Sequence, residues 1–285
     1  MNLPSSTLLV QSILAGIFTG ALYGLLGLGL SLSWGLLRQI NLAHFALAFL
    51  GAYLTYQLAG YGGVDPMLTL LMIVPLFFML GVAVHWVLAR FKVTPFNSLL
   101  ITFGLTIIIE ALLQWIWTAD YRRLDSSYAE HRYRIGDVFL PLPELITLGL
   151  SVAISVAIWL ALKRTDLGKA LRAAAEDAPI AAAFGINQRA LALMLSGLNA
   201  ALAGIAGVCI ALSYTLAPSQ IYTWIGVVFA AVMLGGLGRP MGPLIAGCII
   251  GVSEAVTMAV ASPSWAPLVS FSLLILVLLF RPGRA

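Results

Sequence analysis

The chain alternates between long apolar segments and short polar connections. A helix needs about 20 predominantly apolar residues to cross a bilayer, and most of the apolar segments reach that length. The pattern therefore predicts an all-α, polytopic helical membrane protein with eight or nine hydrophobic segments. The nine segments are Leu8–Ser33, Leu42–Gly60, Met67–Ala89, Asn97–Thr118, Glu144–Leu162, Ala190–Tyr214, Tyr222–Leu237, Gly242–Ala261 and Ala266–Phe280.

Only two polar stretches are longer than a turn. The first is Ala119–Pro143 and the second is Lys163–Arg189. Neither is long enough to form a separate soluble module. We therefore expect a single transmembrane domain over residues 1–285.

The composition excludes most other classes of protein. Apolar residues make up 61% of the 285 residues, charged residues make up 9%, and the mean hydropathy is +1.02. A soluble domain carries about 25% charged residues, so a soluble globular protein and a disordered chain are both excluded. The net charge of +4 is spread over many connections, so we expect no nucleic-acid partner.

Sequence motifs for catalysis are absent. The chain contains no Gly-x4-Gly-Lys-Ser/Thr, no His-Glu-x-x-His and no Gly-x-Ser-x-Gly pattern. Cys209 and Cys248 both lie in apolar segments, where they are interpreted as small core residues. We expect no catalytic residues, no metal site and no cofactor bound by this chain.

The charged residues predict an orientation, because cytoplasmic loops are enriched in Lys and Arg. If Lys163–Arg189 is cytoplasmic, its side of the membrane holds eleven of the fifteen basic residues and three acidic ones. The opposite side holds four basic and six acidic residues. We expect the N-terminus outside and the C-terminus inside. The eleven inner basic residues are Arg38, Arg90, Lys92, Lys163, Arg164, Lys169, Arg172, Arg189, Arg239, Arg281 and Arg284.

The segment Tyr222–Leu237 is short, and glycines and prolines follow each other between Gly235 and Pro243. One interpretation is a broken or re-entrant segment, because such interruptions often lie beside the substrate path of a transporter. Gly235 and Gly236 would then belong to that path. The other interpretation is a tight turn between two helices.

The polar stretch Lys163–Arg189 contains signals for a short helix at Ala178–Phe184. Asp177 is a suitable N-cap, Pro179 suits a first turn, and Gly185 is a suitable C-terminal stop. Its residues are nearly all small, which would let the backbone of a partner approach closely. The alternative is an ordinary amphipathic connector.

The same stretch resembles the coupling loop of the permeases of ABC importers, in particular the branched-chain amino acid permease family. Two further blocks agree, one near the second apolar segment and one rich in glycine near the C-terminus, so the resemblance runs from Gly20 to Pro282. The matching motifs are Gly168-x3-Arg172-Ala173, Ala175-Glu176-Asp177, Gly185-Ile186-Asn187, Asn41-Leu-Ala-His44, Val232–Gly238 and Gly251–Ala255.

The resemblance implies a transmembrane permease subunit of an ABC importer in the bacterial cytoplasmic (inner) membrane. Such a subunit moves a small amino acid, branched-chain or otherwise hydrophobic, inward by alternating access. Two separate ABC ATPase subunits, which hold ATP and Mg²⁺, supply the energy. An extracytoplasmic solute-binding protein delivers the substrate, and a second related permease completes the pair, so a heterodimer is favoured over a homodimer. The resemblance places ATPase coupling on Arg172, Glu176, Asp177, Pro179, Ala182, Gly185 and Asn187.

Two alternatives remain open at this stage. A related permease of the same family would carry urea or short amides. A stand-alone secondary transporter or channel would work without nucleotide and would not depend on Glu176 or Asp177.

A few polar residues lie inside the apolar segments, where charge is costly and usually faces a cavity or the interior of the bundle. Glu110 and Glu254 are interpreted either as substrate-path or gate residues or as structural carboxylates that bridge helices. Asn41 and His44 are interpreted either as gate residues or as an interhelical hydrogen-bond anchor.

Two further features concern packing and the outer surface. Gly16, Gly20 and Gly24 recur at a spacing of four, which makes a smooth helix face for close contact. Packing within the chain is favoured over a dimer interface. The polar stretch Ala119–Pro143 is predicted to be an outer loop, which either receives the binding protein or only covers the bundle.

Overall fold

The computed structural model describes residues 5–91 and 93–280. Arg281 and Arg284, which enter the predicted charge distribution, lie outside the described residues, as do Lys92 and both chain ends. The described residues form twelve α-helices and one two-stranded hairpin: α1 Ser6–Leu37, α2 Ala43–Tyr56, α3 Leu70–Arg90, α4 Pro95–Trp117, α5 Ser127–Glu130, β1 Arg132–Ile135, β2 Val138–Pro141, α6 Leu142–Arg164, α7 Asp166–Glu176, α8 Ala178–Ala183, α9 Gln188–Ser213, α10 Ile221–Gly235, α11 Met241–Val260 and α12 Ala266–Phe280.

Every predicted apolar segment is a helix, so the prediction of a polytopic helical protein is confirmed. Within the described residues, seven helices are long and apolar enough to cross a membrane. The other two of the nine predicted segments form shorter helices. These are α2, which the π-helical turn Gln57–Tyr61 extends, and α12, which follows the 3-10 turn Pro263–Trp265.

The most extensive helix pairing is that of α1 with α11. A Cβ atom at Gly16 would lie 2.5 Å from the Val252 Cα atom, and one at Gly24 would lie 2.6 Å from the Leu244 Cα atom. At Gly20 it would meet the carbonyl oxygen of Gly247. The backbones are therefore so close that only glycine fits, and the glycine repeat packs within the chain.

The second central helix is α9, which packs against α2 and α3. Here too small residues allow close approach, because a Cβ atom at Gly204 would lie 2.8 Å from Ile73 and one at Gly51 would lie 3.1 Å from the Gly204 carbonyl oxygen. The centre of the protein is thus formed by α1, α2 and α9, with α11 on the far side of α1.

The predicted outer loop contains a β-hairpin that the sequence analysis did not predict. Strands β1 and β2 are antiparallel and are joined at Gly136, which has φ +64°. Gln11 at the start of α1 extends the hairpin, since its side-chain amide donates to the Phe139 carbonyl oxygen (2.9 Å) and its Oε1 atom accepts from the Phe139 amide (3.0 Å). The two residues Gly136-Asp137, placed between Ile135 and the apolar run of β2, were the signal that was overlooked.

Other contacts tie this region to the rest of the bundle. Arg122 and Leu216 exchange two backbone hydrogen bonds, of 2.8 and 2.6 Å. The Tyr128 hydroxyl donates to both carboxylate oxygens of Asp65, at 3.0 and 2.8 Å, and this hydrogen bond raises the pKa of Tyr128. We call this end of the bundle the hairpin face, and the opposite end, which carries α7 and α8, the α7–α8 face.

Candidate functional site: the α7–α8 face and the helix termini beneath it

The helices α7 and α8 are both set by side-chain caps. The Thr165 hydroxyl accepts a hydrogen bond from the Gly168 amide (3.1 Å), and the Asp177 carboxylate accepts from the Ile180 amide (3.0 Å). Gly185 ends the second helix with φ +85°, a conformation that favours glycine. The predicted helix Ala178–Phe184 is therefore observed as Ala178–Ala183, with the N-cap and stop where the sequence placed them.

The exposed side of α8 carries two large apolar side chains. Ile180 is 57% exposed and Phe184 is 84% exposed. Small residues dominate this segment in the sequence, so the exposure of these two was not predicted. Large apolar side chains that project together from a polar loop are typical of a protein interaction surface. Glu176, Asp177, Pro179, Ala182 and Gly185 are exposed beside them.

Two hydrogen bonds connect the α7–α8 segment to the central helices α1 and α9. The Arg38 guanidinium, just after α1, donates to the Ala175 carbonyl oxygen at 3.1 Å. The Gln188 side-chain amide, at the start of α9, donates to the Ala178 carbonyl oxygen. A cavity of about 550 Å³ lies beneath the segment, between the end of α1 and the helices α7, α8 and α9.

Two of the predicted coupling residues, Asn187 and Arg172, do not lie on the exposed side of α8. Asn187 caps α9, where its Oδ1 atom accepts from the Ala190 amide at 3.1 Å. Arg172 lines a separate cavity between α6, α7 and α11, away from the exposed side of α8. In the same helix, a hydrogen bond from Lys169 (2.9 Å) lowers the pKa of Asp166.

His44 is fully buried between three helices. Its Nε2 atom lies 3.0 Å from the Leu26 carbonyl oxygen, and because a carbonyl only accepts, this nitrogen carries the proton. A Cβ atom at Gly29 would meet the His44 ring at 2.5 Å and the Asn199 Oδ1 atom at 2.6 Å. This geometry favours the interpretation of His44 as an anchor between α1, α2 and α9. Asn41 instead lines a small polar cavity with Ser98 and Thr102.

Glu254 joins α11 to α1 and α12. Its Oε2 atom accepts from the Tyr23 hydroxyl at 3.0 Å, and its Oε1 atom accepts from the Ser270 hydroxyl. Because both partners lie on other helices, the carboxylate links three segments of the bundle.

Glu110 lies on α4, at the periphery of the bundle. It accepts from the Tyr222 hydroxyl at 2.5 Å and from the Gln114 side-chain amide at 3.2 Å. The first contact joins α4 to the start of α10, and the second stays within α4. The two acidic residues of the apolar segments therefore lie in separate places.

Gly235 and Gly236 belong to the turn between α10 and α11. The segment before them is one continuous helix, and Gly236 and Gly238 have φ of +87° and +71°. The Ser31 hydroxyl donates to the Gly236 carbonyl oxygen (3.3 Å) and accepts from the Gly238 amide (3.1 Å). The glycines thus form a tight turn that is fixed to α1.

A cavity of about 380 Å³ opens between α1, α2, α9 and α10. Trp224 forms its aromatic wall, with edge-to-face contacts to Tyr23 (5.8 Å) and Tyr214 (5.2 Å). Thr19 and Thr223 add hydroxyl groups. The sequence analysis did not single out these residues, although Tyr214 and Trp224 flank the break between α9 and α10. Tyr23 connects this cavity to Glu254.

Comparison with known proteins decides the family. The family model described as "Branched-chain amino acid transport system / permease component" matches residues 12–278. The chain belongs to this family. The permease is similar to the high-affinity branched-chain amino acid transport system permease proteins BraD of Pseudomonas aeruginosa (25% identity, 96% of this chain and 94% of the relative) and LivH of Escherichia coli K12 (26% identity, 96% and 94%).

A third relative is slightly more identical, over a shorter stretch. A probable branched-chain amino acid transport permease protein LivH of Methanocaldococcus jannaschii is 29% identical over 81% of this chain and 76% of its own. No solved structure matches the permease. The chain is therefore a transmembrane permease component of this family, and such permease subunits are non-catalytic.

The described residues contain no group of three or more His, Cys, Asp or Glu side chains arranged to hold a metal ion. Cys209 and Cys248 are free thiols on different helices.

Proposed function

We propose that the permease imports a branched-chain or other small hydrophobic amino acid by alternating access, driven by two ABC ATPase subunits that dock on the α7–α8 face. The observation that carries this proposal is the exposure of Ile180 within the capped helix α8 and of Phe184 directly after it. A short rigid helix with apolar side chains suits insertion into a groove of a partner.

The contacts of this helix provide a route for movement into the bundle. A displacement of α7 and α8 by the ATPases acts on α1 through the bond between Ala175 and Arg38, and on α9 through the bond between Ala178 and Gln188. These two central helices line the cavity at Tyr23 and Tyr214. ATP and Mg²⁺ remain on the partner subunits.

We assign the cavity beside Trp224 to the substrate path. Its aromatic walls suit an aliphatic side chain, and the hydroxyl groups of Thr19 and Thr223 suit the polar end of an amino acid. Glu254 lies behind Tyr23, where it holds the hydroxyl in position. Tyr23 therefore contacts the substrate in this proposal, and Glu254 acts through it.

The proposed orientation follows from the charge distribution. The α7–α8 face, with Lys163–Arg189, is cytoplasmic, and the hairpin face lies outside the cytoplasmic membrane. An extracytoplasmic solute-binding protein docks on the hairpin face. A second, related permease completes the transporter as a heterodimer.

The test compares Phe184→Ser with Ile135→Ser in the assembled transporter. Both side chains are exposed apolar groups, at 84% and 68%, but Ile135 lies in the hairpin. We expect Phe184→Ser to weaken retention of the ATPases about tenfold or more and to reduce uptake, because it removes an anchor of the interface. Ile135→Ser should leave ATPase retention unchanged. Equal retention in the two variants contradicts the docking assignment.

Competition assays test the substrate part separately. Leucine, isoleucine and valine should displace labelled substrate, whereas urea and short amides should not. Uptake that persists without nucleotide contradicts the ATP-driven mechanism and favours a stand-alone transporter.

A further inference from the structure

The cavity that Arg172 lines has a volume of about 610 Å³ and lies between α6, α7, α11 and the turn from α10 to α11. It belongs to neither the exposed side of α8 nor the cavity beside Trp224. It lies at the α7–α8 end of the bundle, where α6 leaves its apolar segment. The proposed function makes no use of it.

One end of this cavity is strongly basic. Lys163, Arg172 and Arg239 line it from three different elements, the end of α6, the middle of α7 and the α10–α11 turn. No acidic side chain is among the lining residues. The two ion pairs of the described residues are Arg134–Asp137 and Lys169–Asp166, so neither neutralises these three cations.

The other end of the cavity is apolar and open. Ile245 and Ile249, one turn apart on α11, are 57% and 54% exposed, and Leu162 and Trp159 of α6 face them. The Lys163 ammonium lies 4.8 Å from the centre of the Trp159 ring. Trp and Lys side chains in this arrangement are typical of the level where the hydrocarbon region meets the head groups.

The start of α11 also faces the basic end. Pro240, Met241 and Gly242 line the cavity, so the positive end of a 20-residue helix points towards it. The basic side chains and the helix terminus act in the same direction, and both favour an anionic ligand.

We propose that this cavity binds one anionic phospholipid of the leaflet on the α7–α8 side. Its phosphate is held by Lys163, Arg172 and Arg239, and one acyl chain lies along Ile245 and Ile249. The apolar wall distinguishes a lipid from a free phosphate, and the lack of an acidic lining residue disfavours the cationic head groups of zwitterionic lipids. Basic pockets between helices at this level are a recurrent form of lipid recognition.

Occupancy would link two moving parts of the permease. Arg172 belongs to α7, which directly precedes α8, and Arg239 belongs to the turn that Ser31 fixes to α1. A phosphate held by both residues therefore connects α7 to the α10–α11 turn. Transport should consequently depend on the content of anionic lipid.

The test uses the full-length permease, purified with its partner subunits, in native mass spectrometry. The probes are phosphatidylglycerol, phosphatidylcholine of the same acyl chains, and glycerol 3-phosphate as the soluble head group. The variant is Lys163→Gln with Arg239→Gln, which leaves Arg172 intact. The matched control is Arg164→Gln with Arg189→Gln, which removes two exposed cations from the same face outside the cavity lining.

We expect the permease to bind phosphatidylglycerol more tightly than phosphatidylcholine and to bind glycerol 3-phosphate only weakly. The cavity variant should weaken phosphatidylglycerol binding roughly 10- to 30-fold, since each basic residue contributes about three- to fivefold. The control should stay within about twofold of the natural chain. Thermal melting in detergent without lipid should be the same for both variants, which separates binding from folding.

Three results would overturn the proposal. An equal loss in the control shows general attraction to a basic face, and strong binding of glycerol 3-phosphate shows a site for soluble anions. Lipid bound to the permease alone but absent from the assembled transporter shows that a second protein covers the cavity. A second variant, Ile249→Ala, should weaken the binding of phosphatidylglycerol without changing the binding of glycerol 3-phosphate. Its control is Met258→Ala, which is exposed further along α11 and should change the binding of neither probe.

Discussion

The central helices α1 and α9 differ from the peripheral helices α3, α4 and α6 far more in burial than in hydropathy. The mean hydropathy of the most apolar window is 1.9 in both central helices and between 2.0 and 2.4 in the peripheral ones. Yet 67% and 72% of those windows are buried in the central helices, against 17% to 22% in the peripheral ones. Among the seven helices long enough to span a membrane, the three most apolar are therefore the least buried within the chain.

The physical reason is the solvent. Lipid tails are as apolar as leucine, so burial of a leucine against another helix gains little, and close van der Waals contact decides which helices associate. Gly16, Gly20 and Gly24 provide that contact in α1, whereas Gly104 in α4 and Gly149 in α6 have no atom within 4 Å of the position of a Cβ atom. A repeat of small residues indicates a central helix, and an isolated glycine does not.

The largest effect is expected from a branched side chain between α1 and α11. In Gly247→Val, the Cβ atom would lie 2.5 Å from the Gly20 carbonyl oxygen and 2.8 Å from the Gly24 amide nitrogen, both of them backbone atoms that cannot move aside. We expect a loss of about 3 kcal/mol or more of folding free energy. The fraction of the chain that remains monodisperse after heating in detergent checks this prediction.

The control for this comparison is Gly149→Val, which places the same side chain in open space on α6. Its thermal survival should match that of the natural chain. Similar losses in the two variants would mean that close packing does not distinguish the central from the peripheral helices.

An intermediate effect is expected at the carboxylates. Glu254→Gln replaces with an amide nitrogen one of the two acceptor oxygens that link α1, α11 and α12 and hold Tyr23, whereas Glu110→Gln affects a contact between α4 and α10 at the periphery. We expect Glu254→Gln to lower uptake by roughly tenfold, since a buried donor left without its acceptor costs about 1.5 kcal/mol.

Initial rates of uptake at equal amounts of permease in the membrane check this prediction. Glu110→Gln should change uptake less than twofold or threefold. If both variants transport at the natural rate, Glu254 serves only to join helices and has no part in the substrate path.

The smallest effect is expected at a single hydroxyl group. Ser31→Ala removes the bond to the Gly236 carbonyl oxygen and one of the two acceptors of the Gly238 amide, since the Ser31 carbonyl oxygen still accepts from that amide at 3.1 Å. A loss of about 1 kcal/mol of folding free energy is expected. Unfolding in denaturant, followed by tryptophan fluorescence, measures it.

The matched variant is Ser253→Ala. The Ser253 hydroxyl bonds only to the Ile249 carbonyl oxygen of its own helix, at 2.7 Å, and is exposed. Its removal should cost nothing measurable. A larger loss for Ser253→Ala than for Ser31→Ala would contradict the view that the α10–α11 turn is fixed by Ser31.

Local signals were enough to predict much of this structure. Each apolar segment became a helix because its length and hydropathy leave no other way to satisfy the backbone in a membrane. Asp177 and Gly185 end α8 because a cap and a positive φ depend only on neighbouring residues. The glycine repeat of α1 predicted close packing for the same reason.

Features that depend on distant residues were not predicted. The cavity beside Trp224 requires four helices to meet, and the sequence does not order those helices in space. The contact of Gln11 with Phe139 joins residues 128 positions apart. The exposure of Ile180 and Phe184 was not predicted, because it depends on how the loop packs against the bundle and small neighbours dominate this part of the sequence.

The length of α1 has a mechanical consequence. Its 32 residues span about 48 Å, so it reaches from the bond between Arg38 and Ala175 at one face to the bonds between Gln11 and Phe139 at the other. Its close contact with α11 makes the two helices a single stiff rod. If α1 tilts by about 5° about its end at one face, its other end moves by about 4 Å. A single rod could thus report the state of one membrane surface to the other without any change in its own structure.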